Sequence, residues 1–83
     1  MDELRQFLRD KDGQPVGVLL ASKGEDGRCR VGWSVKHPKD GFNKKLGVTI
    51  ARGRLRRGTK AFFPGKYRRD LEKFKARAES YFK

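Results

Sequence analysis

A chain of eighty-three residues has apolar surface for one modest core, so residues 1–83 read as a single basic domain. Twenty-two Lys and Arg against ten Asp and Glu leave a formal charge of +12, far beyond what solubility asks of a small domain, and imply a polyanionic partner. The polar balance, 35% hydrophobic and 39% charged, comes with six Phe, two Tyr and one Trp in patterned places, which excludes a disordered chain.

The elements follow in chain order. From Asp2 to Arg9, Leu4, Phe7 and Leu8 fall at helical spacing, which predicts an N-terminal helix with acids at its first turn. Asp10 to Pro15 reads as a turn. Val16 to Ser22 is an apolar run of strand length. Gly24-Glu25-Asp26-Gly27 follows, and Arg28 to Lys36 then alternates. Cys29, Val31, Trp33 and Val35 share one side, and Arg28, Arg30, Gly32 and Ser34 the other. Two strands around an Asp-Gly turn predict an antiparallel β-hairpin. Its apolar face needs cover, so Trp33 is expected in the core and Arg28 and Arg30 on an outer face.

Pro38 breaks the strand, because proline cannot donate to a ladder. Asp40 is an N-cap candidate for a central segment from Gly41 to Arg57. Phe42, Leu46, Ile50 and Gly53 share one helical face there, with Val48 and Leu55 on another. A third strand competes, since Leu46, Val48 and Ile50 also alternate and two glycines weaken a helix. Helix is favoured because the run is long and Gly58 can close it. Phe62-Phe63-Pro64-Gly65 reads as a loop in which one aromatic points inward and the other is free to stack. From Lys66 to Phe82, Tyr67, Leu71, Phe74, Ala78 and Tyr81/Phe82 recur every three or four residues, which predicts a C-terminal amphipathic helix. The fold class expected is thus α+β: N-terminal helix, two-stranded hairpin, basic central helix and C-terminal helix across the sheet.

The charge is concentrated. Residues 28–60 carry eleven basic groups against Asp40 alone, whereas the first 27 residues are slightly acidic. Arginine offers a planar fork that matches phosphate oxygens, and every phosphate neutralised releases condensed counterions. The candidate nucleic-acid-binding residues are Arg28, Arg30, Lys44, Lys45, Arg52, Arg54, Arg56, Arg57 and Lys60, assisted by Lys66, Arg68 and Arg69. On a helix Lys45, Arg52 and Arg56 share a stripe about 40° wide, with Arg54 pointing away from it. The pattern does not separate DNA from RNA, or base readout from backbone grip.

Catalysis finds no recognisable machinery. His37 stands alone before Pro38 and reads as a turn residue, while Cys29 lies on the apolar strand face as a buried thiol. One Cys and one His cannot form an internal disulfide or a four-ligand zinc site. Neither a cofactor nor a metal is expected. No apolar run approaches the ~20 residues that span a bilayer, and Met1-Asp2-Glu3 lacks a signal peptide's layout, so no membrane partner is expected and a cytoplasmic setting is.

The run Trp33-Ser34-x-x-His37-Pro38-Lys39-Asp40-x-Phe42-x-Lys44-Lys45-x-Gly47-x-x-Ile50-Ala51-x-x-Arg54 resembles small, uncharacterised proteins encoded by bacteriophages. The resemblance implies a bacterial host cell and a role in host takeover or counter-defence. Two functions remain open. One is non-enzymatic nucleic-acid binding through the central patch. The other is inhibition of a host nucleoprotein enzyme, a CRISPR effector or RNA polymerase, through the same basic surface.

Overall fold

The structure is a computed structural model, and it describes residues 3–36, 41–57 and 65–82. Three strands come first: β1 (Glu3–Arg9), β2 (Pro15–Lys23) and β3 (Cys29–Val35). They form an antiparallel sheet in the order β1-β2-β3. Two helices follow, α1 (Lys44–Arg57) and α2 (Arg68–Tyr81), the second entered through a short 3₁₀ turn at Gly65–Tyr67. The class is α+β, with a sheet of three strands where two were expected.

The N-terminal segment is strand β1 and not a helix. Leu4 and Leu8 face one side of the sheet and Phe7 the other, paired opposite Ala21, Gly17 and Val18 respectively. Both faces are covered by helices, so apolar residues are wanted at odd and even positions alike. The resulting spacing of four, seven and eight imitates a helical face. The same double cover explains β2, which is buried from Val16 to Ser22 without alternation. A bulge opposite the Leu8–Arg9 step inserts Val16 and brings it into one cluster with Leu19 and Ala21 despite its opposite parity.

The two turns share a design. Asp10 Oδ1 accepts from the N–H groups of Asp12 and Gln14 (2.9 and 3.0 Å), and Gly13 takes φ +80°. In the hairpin, Asp26 Oδ1 accepts from Arg28 N–H at 3.0 Å and Gly27 takes φ +81°. An Asp that caps the turn and a glycine in the left-handed region close each connection.

Helix α2 covers one face. Phe74 and Ala78 are fully buried against Leu4, Leu8, Leu19 and Ala21, with Cys29, Val31, Trp33, Val35, Tyr67, Leu71 and Phe82 packed around them. This is the apolar face and the helical stripe expected from the sequence. Helix α1 covers the other face, where Ala51 and Leu55 meet Val18 and Leu20 and are ringed by Phe7, Phe42 and Val48. The side of β3 expected to look outward is therefore the seat of α1, and Gly32 and Ser34 are buried beneath it.

The identity of residue 32 permits that seat. A Cβ at Gly32 would lie 2.6 Å from Leu55 Cβ and Leu55 N, and closer still to the carbonyl oxygen of Ala51. Within α1, Gly47 is likewise required, because the Phe42 ring occupies the place of a side chain, 2.6 Å from an added Cβ. Phe42 in turn meets Phe7 edge-on, at 6.3 Å and 77°. Asn43 caps the helix: its Oδ1 accepts from Leu46 N–H at 3.0 Å. The expected cap, Asp40, and the closing Gly58 lie outside the described residues.

Candidate nucleic-acid interface

Helix α1 contains six Lys and Arg and no acid. Its residues divide by direction around the axis, at about 100° per residue. Ala51 and Leu55 point to the sheet. Lys45, Arg52 and Arg56 lie on the shoulder above β1, and Arg54 lies on the opposite shoulder above β3. The outward ridge between the shoulders is made by Leu46, Thr49, Ile50 and Gly53, and the helical spacing continues it to Arg57 at the end of α1. Leu46 and Ile50 are 57% and 38% exposed, so the stripe of Phe42, Leu46, Ile50 and Gly53 seen in the sequence is not what packs on the sheet.

Four of the candidate cations are drawn into the fold, to different degrees. Arg52 donates twice to Glu3 on β1, Nε to Oε2 at 3.2 Å and Nη2 to Oε1 at 3.0 Å. Its hydrogen bonds, with Arg5 adding at 3.5 Å, hold the Glu3 carboxyl below the usual carboxylate range, and Glu3 raises Arg52 in return. Arg54 lays its guanidinium 4.1 Å over the Trp33 ring and donates from Nη1 to the Trp33 carbonyl at 3.0 Å. Trp33 is thus half-buried between the α2 core and an arginine from α1, not enclosed as the sequence suggests. Lys44 sits 5.3 Å over the Phe7 ring. Arg30 makes a loose pair with Asp26 at 3.5 Å, both half exposed.

Lys45 and Arg56 are exposed, and no ion pair engages them among the described residues. Arg56 and Arg30 line one open cleft of about 430 Å³, between the end of α1 and the hairpin turn, together with Lys23, Glu25 and Asp26. Asp26 is held below its usual range, first by the Arg28 N–H and then by Arg30. Arg28, also exposed, borders a second cleft of about 520 Å³ with Cys29, Glu79 and Phe82 on the α2 side of the turn. Burial, aided by Glu79, pushes the Cys29 thiol above its ordinary value.

The candidates therefore do not form one surface. Arg68 and Arg69 open α2, on the other side of the sheet from α1. Arg57 ends α1, and Lys60 lies outside the described residues, as do His37, Phe62 and Phe63. What the fold brings together is Arg56 and Arg30 at one cleft, with Lys45 on the same shoulder of α1 about 16 Å up the helix and Arg52 between them, held by Glu3. The Glu3 partnership of Arg52 has no signal in the sequence, because a helix from Asp2 to Arg9 gives Glu3 no register with residue 52.

Among the described residues no helix is long and apolar enough to cross a membrane. The chain matches no family model, no curated protein and no solved structure.

Proposed function

We propose that this protein binds nucleic acid without catalysis, gripping the phosphate backbone from the solvent side of α1 through Lys45 and Arg56, with Arg30 and Arg28 extending the contact at the hairpin turn. The observation that supports this most is a fourteen-residue helix without an acid, whose exposed Lys45 and Arg56 have no partner ion among the described residues. Elsewhere on the chain acids and bases are interspersed, as in α2 with Asp70, Glu72 and Glu79. Arg52 and Arg54 are assigned to holding α1 against β1 and β3. The bacteriophage resemblance sets this activity in the cytoplasm of a bacterial host.

Fluorescence anisotropy with labelled duplex and single-stranded oligonucleotides, across a salt titration, tests the reading. Four neutralised phosphates give log K against log[salt] a slope of about −4 on duplex. The pair Lys45→Ala and Arg56→Ala flattens it by about two units, since each phosphate contact carries about one. Arg54→Ala leaves the slope where it was. No binding at about 100 mM salt, or a slope near zero, moves the basic surface to an acidic protein partner.

A further inference from the structure

Between Leu46 and Gly53 the outward ridge of α1 is neutral, and its shoulders are not. Leu46, Thr49, Ile50 and Gly53 point straight away from the sheet, with Leu46 and Ile50 exposed to 57% and 38%. Lys45 and Arg56 stand to one side. A helix that only gripped phosphate would place its cations at the crest. From Leu46 to Gly53 the crest offers aliphatic carbon and one hydroxyl, and Lys45 and Arg56 are set back along one shoulder, where a strand of phosphate would pass.

We propose that α1 enters the major groove of duplex DNA, with Leu46 and Ile50 against thymine methyl groups and Lys45 and Arg56 on the bordering phosphates. This rests on the nucleic-acid reading above and narrows it to one class. A helix with its side chains is about 10–12 Å across and the B-form major groove about 12 Å wide, so the crest reaches the base edges. The thymine C5-methyl is the one apolar group displayed there, and it suits branched aliphatic side chains. In A-form RNA the major groove is too deep and narrow to admit the helix, and uracil has no methyl. Charge decides against a second copy as occupant, because α1 has no acid to answer the cations of another α1.

The test compares three labelled 24-base-pair duplexes at one salt concentration: alternating dA-dT, the same DNA with deoxyuridine for thymidine, and the alternating rA-rU duplex. One methyl contact contributes about fourfold, so two make the dT duplex bind about fifteenfold tighter than the dU duplex. The RNA duplex binds no better than the dU DNA. In the double variant Leu46→Ala, Ile50→Ala the preference for dT over dU collapses to near one while the salt slope is retained. Both side chains are exposed, and circular dichroism confirms that the variant is folded. Equal binding of dT and dU DNA by the parent protein, or RNA bound as tightly as dT DNA, overturns the groove assignment and leaves the phosphate grip standing. Absence of binding to all three overturns both.

Discussion

Replacing Gly32 by alanine perturbs the tightest seam in the fold. The added Cβ would sit 2.6 Å from both Leu55 Cβ and Leu55 N, with the Ala51 carbonyl oxygen nearer still. Ordinary carbon contacts lie at about 3.5 Å or more, so α1 has to lift from β3 by roughly 1 Å. The obstacles are helix backbone and a first side-chain carbon, and no rotamer change moves either aside. Lifting α1 opens the Ala51, Leu55, Val18 and Leu20 cluster, all buried, along its length. Overpacking against a rigid neighbour costs about 1–3 kcal/mol, and the loosened cluster adds to it, so a loss of about 3 kcal/mol or more is expected. A domain of this size has roughly 4–12 kcal/mol to lose. Urea unfolding followed by Trp33 fluorescence measures the change, with Gly41→Ala as the control, since nothing lies within 4 Å of a Cβ there. A Gly32→Ala protein within about 0.5 kcal/mol of the parent would refute the close seating of α1 on β3.

Other substitutions probe single contacts. Glu3→Gln should lower the urea midpoint at neutral pH. Because the folded carboxyl is held below its ordinary value, the stability it adds is present above the unfolded pKa. The gap between parent and variant therefore closes as pH falls from about 5 towards about 2. Arg54→Ala should shift Trp33 emission to the red and raise iodide quenching by uncovering the ring, and unchanged quenching would contradict the stacking. Trp33→Ala should cost about 3 kcal/mol or somewhat less, being half-buried, when measured by circular dichroism in urea. Cys29, with its thiol pushed up by burial, should react with iodoacetamide at pH 7–8 more slowly than the same residue in urea, and equal rates would place it in open solvent.

The parts legible in the sequence are those whose bulky apolar residues all point one way. The α2 stripe of Leu71, Phe74 and Ala78 and the β3 alternation of Cys29, Val31, Trp33 and Val35 each keep a period that only one element satisfies. The hairpin turn was legible from its Asp-Gly pair. What failed was β1, whose Leu4, Phe7 and Leu8 serve two cores at once and so lose the period of a strand. The direction of α1 was hidden for a related reason. Its sheet side mixes small residues, Gly47 and Ala51, which carry little hydrophobic signal, with Leu55, while the other two of its three large aliphatics, Leu46 and Ile50, face outward. A reading that weighs only bulk turns the helix the wrong way.

That inversion separates architecture from function within the run from Trp33 to Arg54. Among its described residues, Phe42 fills the space over Gly47, Ala51 drops onto Gly32, Lys44 covers Phe7, and Arg54 closes over Trp33. Each of these positions has a packing reason for its residue type. Lys45 and Ile50 are both exposed, Ile50 to 38%, and neither belongs to the cluster that packs α1 on the sheet. A lysine in that position is ordinary for a surface, but a branched aliphatic is disfavoured there on two counts, lost helix propensity and wetted apolar area. Isoleucine at 50 leaves more than a third of its surface wet in the isolated domain, and alanine in its place should change the stability of the fold little. On the groove assignment proposed above, that wet aliphatic surface is what the DNA would cover, so Ile50→Ala should weaken binding to thymine-containing duplex while leaving the urea midpoint nearly where it was.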